Sequence, residues 1–89
     1  MRRGVLLTLA AALVAAAPPP PGALVCSGCH AAVTPPGFPP LAGRPAADLE
    51  DKLLAYRAGT LPATVMDRLA RGFSPGELKS IAAWWAGQQ

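Results

Sequence analysis

One histidine and two cysteines are all the His and Cys this 89-residue chain has, one short of the four ligands that a structural zinc site usually takes. No stretch alternates apolar and polar residues as a half-buried strand does, no segment repeats, and no block of like charge occurs. A sheet-based fold and a repeat array are therefore excluded, and the expected fold class is all-α. Long apolar runs are also lacking. The longest, Gly4 to Ala17, spans 14 residues, too few for an ordinary membrane span. Preceded by Arg2 and Arg3, it has the form of an export leader.

The four prolines that follow, Pro18 to Pro21, cannot lie inside a helix, because proline lacks the N–H donor and clashes with the preceding turn. Residues 1–23 are accordingly read as leader and spacer, with cleavage expected between Ala17 and Leu24, and residues 24–89 as the folded domain. An uncleaved leader would instead act as a weak membrane anchor. From Leu24 onward, six basic residues (Arg44, Lys52, Arg57, Arg68, Arg71, Lys79) face five acidic ones (Asp48, Glu50, Asp51, Asp67, Glu77). A net charge of +1 carries no nucleic-acid signature. A domain of about 65 residues supports only a marginal core and calls for a staple.

Leu24 to Ala32 is expected to form a short helix bearing both cysteines. Thr34 to Pro45, with five prolines and two glycines, reads as loop. Leu49, Leu53 and Tyr56 recur at helical spacing before Gly59, which predicts a helix from Ala46 or Ala47 to Ala58. A further turn is expected from Val65 to Ala70, ending at Gly72. Ser74, Pro75 and Glu77 form a capping-box start for a last helix, with Phe73 and Leu78 at the hydrophobic-staple positions. Its inward face is Leu78, Ile81, Ala82 and Trp85. Trp84, adjacent to Trp85, is expected to be partly exposed.

Cys26-Ser27-Gly28-Cys29-His30 has the C-x-x-C-H spacing of c-type haem attachment. Two cysteines three apart on one helical turn face the same way, as two thioether bonds to neighbouring vinyl groups require, and the histidine that follows can lie beneath the iron. Other readings stand beside this one: a thioredoxin-type redox pair, which would need a strand-helix framework; a zinc site short of ligands; a plain disulfide closing a loop too small to add much entropy; and coincidence. If His30 is one axial ligand, the single methionine beyond the leader, Met66, is the first candidate for the other, since His/Met ligation raises a cytochrome's potential. Met66 as a core filler, an open sixth position, and ligation by Lys52 or Lys79 are the alternatives. A carbonyl near Pro35, Pro36 or Pro39 is expected to accept the other ring N–H of His30. Leu41, Leu53, Tyr56, Leu69, Ile81 and Trp85 are candidates for the apolar wall of the pocket.

The motif, together with Pro40-Leu41-Ala42-Gly43, the Leu-x-x-Tyr-Arg-x-Gly of Leu53 to Gly59, and the block from Ala63 to Ser74, resembles class I cytochromes c over about Cys26 to Ala86. The last block is similar to the cytochrome subunit of flavocytochrome c sulfide dehydrogenase and to periplasmic cytochrome c553 proteins. The resemblance implies one covalent haem c on Cys26 and Cys29, with His30 proximal and Met66 distal. It also implies an exported, periplasmic electron carrier rather than an enzyme, fed by a flavoprotein donor that oxidises sulfide and drained by a downstream acceptor. With the leader removed only a few residues would precede Cys26, so the N-terminal helix of that family would be abbreviated here. The alternative function is a haem protein with an open sixth site, acting in catalysis or gas sensing.

Overall fold

The structure is a computed structural model that describes residues 17–31 and 36–89. The leader up to Ala16, and Pro35 as a partner for His30, lie outside them. Among the described residues every regular element is helical, so the fold is all-α. No helix there is long and apolar enough to cross a membrane.

The first element, Ala23–Gly28, is a 3-10 helix rather than the α-helix expected over Leu24 to Ala32. The proline run cannot extend it backward and Gly28 lowers helix propensity at its end, and so short a piece takes the winding that its packing favours, here the tighter one. After the loop comes α1 (Ala46–Ala58), which has no side-chain cap at its start and ends at Gly59 with φ 75°. The Gly59 N–H reaches the Tyr56 carbonyl at 3.1 Å and the Thr60 N–H reaches that of Ala55 at 3.0 Å. These two bonds satisfy carbonyls the helix end would otherwise leave open, and the geometry needs a residue free of a Cβ.

A short α2 (Met66–Arg71) carries Asp67 in its first turn and Arg68 and Arg71 in its last, charges that complement the helix dipole. For α3 (Pro75–Ala86) both capping-box bonds are present: Glu77 N–H to Ser74 Oγ at 3.2 Å and Ser74 N–H to Glu77 Oε1 at 2.9 Å. Pro75 occupies the first helical position, where its missing N–H costs nothing.

α1 packs against both α2 and α3. The central cluster is Ala23, Leu49, Ile81, Ala82 and Trp85, all buried, with Leu41, Leu53 and Phe73 packed around it. Trp85 faces inward and Trp84 is half-buried beside it. Two hydrogen bonds knit loop to helix. Arg57 Nε donates to the Phe73 carbonyl at 2.9 Å, and the Gly43 N–H donates to the Trp85 carbonyl at 3.1 Å.

The segment ahead of the first helix also lies on this body. Ala23 is fully buried and its carbonyl accepts from Trp85 Nε1 at 3.1 Å. Farther out, the Ala17 carbonyl accepts from Trp84 Nε1 at 2.9 Å.

Candidate functional site

Cys26 lies in the 3-10 helix and Cys29, three residues on, is the residue that caps its end; both border one cavity. The backbone holds the following histidine close: the N–H groups of Cys29 and His30 reach the Cys26 carbonyl at 3.3 and 2.9 Å. Cys26 is half-buried, Cys29 is exposed, and the two sulfurs are not joined. Burial pushes the Cys26 thiol above its ordinary pKa.

His30 Nδ1 lies 2.6 Å from the Pro39 carbonyl oxygen. A carbonyl can only accept, so Nδ1 carries the proton and, in the neutral ring, the Nε2 lone pair is left free. Of the three prolines named from sequence, Pro39 supplies this carbonyl. Phe38 meets the imidazole edge-on, with centroids 6.0 Å apart and planes at 75°. The ring is thus held at one nitrogen and flanked by an aromatic.

Met66 is the first residue of α2, half-buried, and it borders the same cavity. The next residue, Asp67, has one buried carboxylate oxygen with no hydrogen-bond partner. The cavity has a volume of about 460 Å3, within the span of roughly 300–1,000 Å3 found for small-molecule and cofactor sites. Its walls are mostly apolar, and all six wall residues expected from sequence (Leu41, Leu53, Tyr56, Leu69, Ile81, Trp85) border it. Lys52 borders it as well, whereas Lys79 does not. Among the described residues no three of the His, Cys, Asp and Glu side chains converge as a metal-holding group would.

Sequence reasoning did not single out Phe38, Arg44, Val25 or Val65, which also line the cavity. Phe38 had a signal, an aromatic between glycine and proline in a loop just after the histidine. Arg44 was visible only as one scattered charge. With Lys52 it makes the charged part of the lining wholly cationic, since no carboxylate is present there. Val25 and Val65 are more than half exposed, at 64% and 54%, so the apolar lining continues out to the mouth.

The arrangement offers two thiols, one imidazole nitrogen with its tautomer fixed, one thioether, apolar walls and two cations around a single cavity. A scan against protein-family models and a search of curated proteins each found no match for this chain.

Proposed function

We propose that this protein is an exported one-electron carrier of the class I cytochrome c type, with a single haem bound through Cys26 and Cys29 and ligated by His30 and Met66. The observation that carries the reading is the His30 Nδ1–Pro39 bond on the wall of a cavity that both cysteines and Met66 share. A ligating histidine regularly gives its other N–H to a carbonyl, which fixes the ring and raises its basicity. The donor set fits the group: thiols for thioether bonds, imidazole and thioether for the axial positions, and an otherwise apolar cavity for the macrocycle.

Haem, when bound, contributes the Fe(III)/Fe(II) couple, and the residues do the rest. Leu53, Ile81 and Trp85 exclude water from the inner wall. Arg44 and Lys52 would pair with the two propionate carboxylates, offsetting negative charge beside a poorly solvated cavity. Pro39 keeps His30 in the tautomer that presents Nε2. The carrier would work in the periplasm, between a flavoprotein donor and a downstream acceptor.

The test is the absorption spectrum of the oxidised and reduced protein made with a c-type maturation system, followed by denaturation to see whether colour stays with the chain. The expected result is retained colour, a low-spin spectrum and a weak far-red sulfur-to-iron band that Met66→Ala abolishes. A high-spin protein that takes up carbon monoxide readily would turn the reading to an open sixth site. A colourless protein would end it.

A further inference from the structure

We propose that residues 17–22 are a permanent strap of the folded domain, and that the export peptidase cuts at or before the Ala16–Ala17 bond. This inference rests on the exported reading above.

The two neighbouring tryptophans of α3 hold the strap by their indole N–H groups, Trp84 on the Ala17 carbonyl at 2.9 Å and Trp85 on the Ala23 carbonyl at 3.1 Å. Between these points the Ala23 N–H closes a turn onto the Pro20 carbonyl at 3.1 Å. Gly22 adopts φ +88° with the Phe73 ring pressed against the place a Cβ would fill. A left-handed backbone and an aromatic at that distance both demand glycine. Pro18 to Pro20 lie outside any helix or turn and need no internal hydrogen bonds when extended, so they can join the two tethered points as a stiff element. A cut after Ala23 would remove a fully buried core residue together with both indole acceptors. A cut after Ala17 would remove the Trp84 acceptor.

Peptide chemistry points the same way. In the four bonds from Ala17–Pro18 to Pro20–Pro21 the nitrogen belongs to proline, which has no N–H and a fixed φ. A peptidase that grips its substrate as an extended strand through main-chain hydrogen bonds finds no donor there. Cleavage after Ala23 would also set Pro21 at the third position back, where a small residue is wanted. Upstream, Ala16 with Val14 and Ala12 with Ala10 offer small residues at both required positions. Hydrolysis adds one water across the chosen bond, leaving a carboxylate on the leader and a free amino group on the retained chain.

The experiment is the intact mass of the full chain exported under its own leader in a bacterium with c-type maturation. The expected product begins at Ala17 or at a residue as far back as Leu13. A coloured product beginning anywhere from Pro18 to Leu24 would overturn this inference and leave the cytochrome reading standing. A colourless product beginning at Met1 would overturn both. Contact with the strap is tested separately by Trp84→Phe in two lengths of protein, one beginning at Ala17 and one at Gly22, each released from a foreign leader. A fall in Tm confined to the longer protein supports the strap; an equal change in both overturns it.

Discussion

Trp85 does two things with one side chain. Its ring closes the inner wall of the cavity, while its N–H satisfies a carbonyl on the fully buried Ala23. Trp85→Phe keeps most of the ring volume but leaves that carbonyl without a partner, a loss of about 1–3 kcal/mol. Thermal unfolding should show a lower Tm for this variant, and an unchanged Tm would mean that water replaces the indole. The site was most legible at this scale. Cys26, Cys29 and His30 stand in a contiguous motif, Met66 followed from counting the available sulfur ligands, and the inward turn of Trp85 followed from helical spacing. Arg44 was not legible, and Phe38 carried only the signal of an aromatic between glycine and proline, because both reach the cavity through the path of the proline-rich loop, and no local pattern encodes that path.

Among the elements, α3 gives the sharpest test because its start is built from side chains. Ser74→Ala removes the oxygen that accepts the Glu77 N–H, at a cost of about 1 kcal/mol, readable in chemical denaturation. The partner bond makes stability pH-dependent. Hydrogen bonds from the Ser74 backbone and hydroxyl hold the Glu77 carboxyl below its ordinary pKa. A depressed folded-state value means the contribution is fully present above the unfolded glutamate pKa of about 4.3 and fades as pH falls through the folded one. Tm measured across the acid range should therefore decline less steeply in Glu77→Gln than in the parent; identical slopes would show that the carboxylate bond adds nothing. This helix was readable from sequence because capping is local chemistry. The winding of Ala23–Gly28 was not, because the balance between the α and 3-10 forms in six residues is set by what packs on them.

For the molecule as a whole, the dominant feature is a cavity of about 460 Å3 with mostly apolar walls. Unfilled, those walls stay in contact with water and add nothing to a stability that in most domains is only about 5–15 kcal/mol. The buried cluster that remains contains two alanines among five residues. The chain carrying Cys26→Ala and Cys29→Ala, made without haem, should accordingly show weak helical circular dichroism and no cooperative thermal transition. A sharp transition in that variant would mean the helices need no occupant. The burial of Ala23 lay beyond the reach of sequence reasoning, because an alanine beside four prolines carries no periodic signal and its place is decided by the distant Trp85.

The geometry of the two tryptophans has an optical consequence. Their rings meet edge-on with centroids 4.9 Å apart, and Trp85 forms part of the cavity wall. A haem in that cavity would drain the excited state of Trp85 by resonance energy transfer, and that of Trp84 across so short a gap. Both indoles would be dark in the loaded protein and bright in the empty or unfolded chain, so ultraviolet emission alone would report, without any attached dye, what fraction of the molecules has received its pigment.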